Sequence, residues 1–269
     1  MKEKFRFKKE MGQNFISDPA LIERLAEAAQ VTREDGVLEI GPGRGALTCA
    51  LARRCRRLIA VELDRTLLDG LETTLALYPN AEVVEGDILR ADLPALVARL
   101  GVPCRVAANL PYNITTPVVE KLLRARLPFA SLAIMVQKEV GDKMTAGPGE
   151  AGYGPFSLLV QYFAEAREVL RVDASYFTPR PRVDSSFMLL APREAPPVAV
   201  RDEAMLRRTI RASFAMRRKT LLNNVMAGFS LSRPTAQAAL ESAGVRPDAR
   251  AEQASLEQFA RLADALSEG

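Results

Sequence analysis

Val37-Leu38-Glu39-Ile40-Gly41-Pro42-Gly43-Arg44-Gly45-Ala46-Leu47 carries the chain from a short apolar run into a glycine-rich turn. Residues 37–41 have the length and composition of a buried strand, and GALTCALARRC over 45–55 has a helical pattern. Glycines at a strand-to-helix turn permit positive φ and let a ligand approach the backbone. Gly41, Gly43 and Ala46 also fit the G-x-G-x-x-G/A fingerprint of nucleotide-binding turns. By itself that fingerprint reads equally as a tight structural turn.

Outward from this turn the chain alternates. Residues 19–30 form an amphipathic helix, with Asp18 placed to cap it and Pro19 at its first position. Strand patterns at 37–41, 58–64, 82–89, 105–110 and from 131 alternate with helical ones at 45–55, 65–76, 93–100 and 115–125. Further strands are expected at 166–172 and 183–190. Such alternation predicts an α/β fold, a mostly parallel sheet with helices on both faces. The Pro-rich stretch 192–200 breaks the pattern, and only helical patterns follow, at 202–227, 232–243 and 254–266. Two domains are therefore expected: 1–193, with a basic N-terminal segment 1–15, and a small α-helical domain over 200–269.

Composition limits the chemistry. The chain of 269 residues has no His, and its three cysteines, Cys49, Cys55 and Cys104, lack metal-ligand spacing. No metal site is expected, an imidazole base is excluded, and the thiols suit a reducing cytoplasm. No stretch is apolar enough for a membrane span to be expected, and the basic N-terminus lacks the apolar run of a secretory signal. Residues 1–10 contribute +3 and residues 206–219 contribute +6 to a net charge of +4, so the rest of the chain carries −5. Positive charge gathered at two places on an acidic body is the pattern of a polyanion binder, although either run alone reads equally as a solvated face.

The next two strand ends sharpen the first. Glu62 ends the second alternating strand, where a carboxylate can accept from both ribose hydroxyls of a nucleoside. Asp87 ends the third, where it can accept from an adenine amine while Ile88 packs on the ring. Three successive strand ends point to one crevice, the place where open α/β sheets bind ligands. A nicotinamide dinucleotide competes for this reading. The pattern E-x-G-x-G-x-G, then Glu, then Gly-Asp resembles more closely the class I S-adenosylmethionine methyltransferases. That resemblance implies a Rossmann-like seven-stranded sheet whose last strand is antiparallel, with the glycine loop meeting the amino-acid part of the cofactor.

The fourth strand ends in Asn109-Leu110-Pro111-Tyr112, the most specific signal in the chain. It resembles the [DNS]-[IPL]-P-[FYW] motif of methyltransferases that act on an amine conjugated to a planar ring. An exocyclic adenine nitrogen is a poor nucleophile because its lone pair is delocalised. The Asn109 side-chain oxygen and the Leu110 carbonyl can accept its two N–H bonds and favour a pyramidal nitrogen. Pro111 stiffens the backbone that carries these acceptors, and Tyr112 offers a face for the base. The competing reading of this tetrapeptide is a plain turn. Downstream, Phe177 stands before Thr178-Pro179-Arg180-Pro181-Arg182. It could hold the other face of the base or equally sit in the core, and Arg180 and Arg182 could meet phosphates.

Taken together these stretches resemble the ribosomal RNA adenine dimethyltransferase family over nearly the whole chain, specifically the KsgA type that dimethylates two adjacent adenosines near the 3′ end of small-subunit (16S) rRNA. The matching segments are Gly12-Gln13-Asn14-Phe15, the glycine loop, Glu62, Gly86-Asp87, Asn109 to Asn113, Gln137-Lys138-Glu139, Phe177 to Ser185, and Phe214 to Thr220. The resemblance implies S-adenosylmethionine as cofactor and S-adenosylhomocysteine as product. It implies cofactor contacts at Asn14, Ile16, Gly41, Gly43, Glu62, Asp87, Ile88 and Asn109, with Ile16 standing where the family usually has Leu. It gives Arg217, Arg218 and Lys219 a role in binding 16S rRNA within the small subunit, and implies a cytoplasmic monomer in ribosome biogenesis. Two alternatives remain: a resistance-type dimethyltransferase of large-subunit (23S) rRNA, and a non-catalytic RNA-binding assembly or transcription factor on the same fold.

Overall fold

A computed structural model describes residues 14–267. The basic run over residues 1–10 and the Gly12-Gln13 part of the N-terminal motif lie outside the described residues. The chain divides into two compact units. One comprises the chain to Gly141 together with Ala164–Pro192; the other comprises Asp142–Phe163 and Arg193 onward.

The first unit opens with strand β1 (Phe15–Ile16) and helix α1 (Pro19–Ala28). The Asp18 side chain caps α1 by accepting from the Leu21 N–H at 2.7 Å. Then come β2 (Gly36–Ile40), α2 (Ala46–Ala52), β3 (Arg57–Glu62), α3 (Arg65–Leu75), β4 (Ala81–Glu85), α4 (Leu93–Leu100), β5 (Cys104–Asn109), α5 (Thr115–Arg124) and β6 (Phe129–Gln137). Asp64 and Asp92 cap α3 and α4, so each of those turns ends on a helix-starting carboxylate. After two helices, α6 (Lys138–Thr145) and α7 (Pro155–Phe163), come β7 (Ala164–Val172), the short β8 (Phe177–Thr178) and β9 (Ser185–Pro192).

Seven strands form one sheet in the order β4-β3-β2-β5-β6-β9-β7. Strands β2 to β6 pair in parallel, and β9 runs antiparallel to both β6 and β7. This is the Rossmann-like sheet with a final antiparallel strand. The order reverses at β2, so β2 and β5 diverge to opposite sides and their carboxyl ends flank the crevice such sheets use for ligands. Strand β2 is buried along its whole length, as a central parallel strand must be. A second sheet of two strands pairs β1 with β8, setting Ile16 opposite Phe177.

In the second unit the end of α6 and the whole of α7 are followed by α8 (Glu203–Ser213), α9 (Leu221–Phe229), α10 (Arg233–Ser242) and α11 (Leu256–Ser267). Leu158, Tyr162, Leu206, Leu221, Leu240 and Phe259 meet in one apolar cluster. A break falls between Pro192 and Arg193, beside the expected boundary, but residues 142–163 also leave the first unit and pack with the tail. Burial of Leu158 and Tyr162 against α8 to α11 drives this, and the Tyr162 hydroxyl donates to Glu203 at 3.1 Å.

The helix expected over 202–227 is also broken. Residues 214–220 form a turn between α8 and α9, stapled by Asn224, whose side chain bonds both the N–H and the carbonyl of Met216 at 3.1 and 3.2 Å. Thr220 then caps α9. A Cβ on Gly228 would lie 2.5 Å from the Ala212 methyl, so only glycine lets α8 and α9 approach this closely. No helix among the described residues is long and apolar enough to cross a membrane.

Candidate active site

The carboxyl ends of β2, β3, β4 and β5 surround a cavity of about 230 Å³ within the first unit. Its floor is the glycine turn. Gly41 and Gly43 have φ of 67° and 61°, and a Cβ on Gly43 would lie 2.9 Å from the Phe15 ring. The turn is tied to the neighbouring strand by Glu62. One Glu62 oxygen accepts from the Gly43 N–H at 3.0 Å and the other from the Asp64 N–H at 2.8 Å. Burial raises the Glu62 carboxyl above its ordinary value, against the pull of those backbone donors. Each oxygen keeps a further lone pair for a ligand hydroxyl.

Asp87 follows β4 and accepts from the Leu89 N–H at 2.9 Å, which holds the carboxylate at the cavity with the buried Ile88 beside it. Asn109 closes β5. Its side-chain N–H donates to the Asn14 backbone carbonyl at 3.1 Å. With the nitrogen engaged, the amide oxygen is the atom left to accept.

The structure thus gathers Asn14, Ile16, Gly41, Gly43, Glu62, Asp87, Ile88, Asn109 and Pro111 around one cavity. It does not bring every expected residue there. Leu110 is buried behind the turn. Tyr112 lies outside the lining, half-buried, with its hydroxyl 2.9 Å from the Ser185 hydroxyl. Phe177 requires a correction: it is 2% exposed and packs among core residues of the sheet and α1, so its ring presents no open face to a base. The pairing of β8 with β1 pulls it inward opposite Ile16. Arg180 and Arg182 are exposed on the segment between β8 and β9. Arg217, Arg218 and Lys219 are exposed in the second unit, on the turn between α8 and α9 rather than on a helix face.

Glu39, the first residue of the E-x-G-x-G-x-G pattern, has no task of its own in the sequence reading. Glu39 lies on the fully buried β2, lines the cavity, and has an oxygen without any hydrogen-bond partner. Burial, reinforced by the nearby Glu62 carboxylate, pushes its carboxyl up to about 8. A signal for it exists: a charge in the middle of the apolar run Val37-Leu38-Glu39-Ile40 is costly unless a partner is supplied. An unpaired buried carboxyl, two carboxylates at adjacent strand ends and an apolar wall from Ile88 fit a nucleoside carrying a cationic amino-acid tail. S-adenosylmethionine has those parts, and the residues present suit it.

The profile of the ribosomal RNA adenine dimethylase family matches residues 4–268. The chain is 45% identical to the ribosomal RNA small subunit methyltransferase A of Shouchella clausii, over 98% of this chain and 91% of that protein. It is 43% identical to the protein of the same name from Geobacillus thermodenitrificans, over 97% and 92%. Among solved structures, a dimethyladenosine transferase from Plasmodium falciparum shares the fold with a TM-score of 0.78 at 24% identity, over 92% of this chain and 95% of that one. The 23S rRNA methyltransferase ErmE superposes with a TM-score of 0.69 at 29% identity, over 94% and 100%.

Proposed function

The chain belongs to the ribosomal RNA adenine dimethylase family, and from that premise we propose that it dimethylates the exocyclic amines of two adjacent adenosines near the 3′ end of 16S rRNA in the small ribosomal subunit. S-adenosylmethionine is the methyl donor, supplying an electrophilic methyl on a sulfonium. The observation that carries the reading is the oriented amide of Asn109, fixed by Asn14 at the edge of a cavity that also holds Glu62 and Asp87.

Each residue has a distinct task. Glu62 accepts from the ribose hydroxyls while holding the glycine loop, and Asp87 accepts from the cofactor's adenine amine beside Ile88. The Asn109 oxygen and the Leu110 carbonyl accept the two N–H bonds of the target amine, which localises its lone pair toward the methyl group. Pro111 stiffens that segment, and the target base stacks on Tyr112. No strong base is needed, because the nitrogen becomes acidic once methylated. The base must leave its stack to reach these groups, which favours unpaired adenosines. Arg180, Arg182, Arg217, Arg218 and Lys219 meet phosphates. The protein works as a monomer in the cytoplasm, where the subunit matures.

The names of its relatives at 43–45% identity support the small subunit as substrate, while the likeness to ErmE makes large-subunit RNA the competitor. Methyl transfer from labelled S-adenosylmethionine, offered small subunits lacking adenine dimethylation and large subunits side by side, decides between them. Label in the small subunit supports the proposal. Label in the large subunit moves the chain to the resistance-type branch, and RNA binding without transfer makes it a non-catalytic factor.

A further inference from the structure

Ser185 is a buried hydroxyl on β9 with a single side-chain partner, the Tyr112 phenol at 2.9 Å. Its place on the sheet is set by register. Asn109 pairs with Met135 on β6, and Met135 with Phe187 on β9, so these three cavity-lining residues form one row across the strands. Ser185 stands two residues from Phe187 and opposite Gln137. Alternation along a strand puts Ser185 on the same face as Phe187, one step further toward the carboxyl edge where the cavity lies. The residue before it is clamped: the Asp184 carboxylate accepts from the Ala174 N–H at 3.0 Å, and its carbonyl accepts from the Lys138 N–H at 3.0 Å. Ser185 therefore offers a fixed hydroxyl.

Tyr112 is attached at its other end to the turn that carries Asn109. A tyrosine held at both Cα and hydroxyl has little freedom in χ1 and χ2, so the plane of its ring is set before a base arrives. We infer that Ser185 is a positioning residue for methyl transfer, tethering the Tyr112 hydroxyl so that the ring is preset to stack the target adenine. The inference rests on the proposed function, which supplies the base. Preset geometry matters because a reacting amine displaced from its near-attack position loses rate without losing affinity.

The test is a double-mutant cycle read as single-turnover methyl transfer to small subunits lacking adenine dimethylation, with both substrates saturating. Ser185→Ala and Tyr112→Phe delete the same hydrogen bond from opposite ends, so each should slow transfer about three- to ten-fold, the kinetic equivalent of one such bond. The double variant should be no slower than the slower single one. Affinities for S-adenosylhomocysteine and for the subunit should stay at the wild-type level, since neither residue lines the cavity or carries a basic charge. Should Ser185→Ala unfold, Tyr112→Phe leaves the sheet untouched and must show the rate loss alone. Multiplying losses in the double variant, or weaker cofactor binding in either single one, would assign Ser185 a packing role and overturn the inference. No transfer by the wild-type chain overturns the functional reading and the positioning role with it; normal wild-type transfer with multiplying losses overturns the positioning role alone.

Discussion

The side-chain amide of Asn109 donates to the backbone carbonyl of Asn14, 95 positions earlier in the chain, at 3.1 Å. This one bond joins the strand end that carries the acceptor oxygen to the segment leading into β1, and it settles which end of the amide faces the cavity. An amide free to flip would present a donor to the cavity half the time; the Asn14 carbonyl removes that state.

Replacing Asn109 by Ala deletes the proposed acceptor and its anchor together. Single-turnover transfer should fall by about a hundred- to a thousand-fold, the usual loss when one transition-state hydrogen-bonding group is removed. Subunit binding, measured by filter retention, should stay within a few-fold of wild type. Turnover near the wild-type rate would remove Asn109 from the chemistry.

Glu62→Ala takes away the proposed ribose acceptor and frees the Gly43 and Asp64 N–H groups it now binds. Calorimetric titration with S-adenosylhomocysteine should show affinity reduced by about ten- to a hundred-fold, as expected for hydrogen bonds to a charged group. Unchanged affinity would mean that Glu62 serves only to shape the loop.

Glu39 ties stability to pH. Its carboxyl ionises near 4.5 when unfolded and near 8 when folded. Between those values the unfolded chain holds fewer protons than the folded one, so stability is lost as pH rises through that window and levels off above it. Glu62, also raised by burial, acts in the same direction. Glu39→Gln keeps the shape and removes the titration. Its melting temperature, taken without ligand from about pH 5 to pH 8, should fall less than the wild type's. Parallel curves for the two proteins would show that Glu39 titrates normally.

The turn between α8 and α9 presents Arg217, Arg218 and Lys219 to solvent. Replacing all three by Gln should weaken subunit binding across salt concentrations. The slope of log affinity against log salt should also fall by roughly one for each phosphate that is no longer neutralised. A slope equal to wild type would leave those charges merely solvated.

Much of the fold and the site is legible in the sequence. The runs of β2 to β5 lead into Gly41, Glu62, Asp87 and Asn109, which the sequence picks out and the structure places around one cavity, and local sequence suffices because parallel strands place their carboxyl ends together. The features that stay hidden depend on distant partners. Nothing around Phe177 says that β8 will pair with a two-residue β1 and bury the ring. The α8–α9 turn contains neither Gly nor Pro, and its break is enforced by Asn224 reaching back to Met216. Helix α7 follows a glycine-rich stretch and finds its core in α8 to α11, which the chain reaches later. Glu39 is visible as a charge inside a strand, but its unpaired oxygen is a fact of three-dimensional burial.

That the methyl acceptor is an adenine amine in small-subunit rRNA can be tested by digesting this RNA after reaction with the wild-type protein and S-adenosylmethionine, and identifying the nucleosides by mass. Dimethyladenosine is expected, confined to fragments from the 3′ end and absent when Asn109→Ala replaces the wild type. Methyl groups on another base or on ribose, or dimethyladenosine arising only from large-subunit RNA, would contradict the assignment.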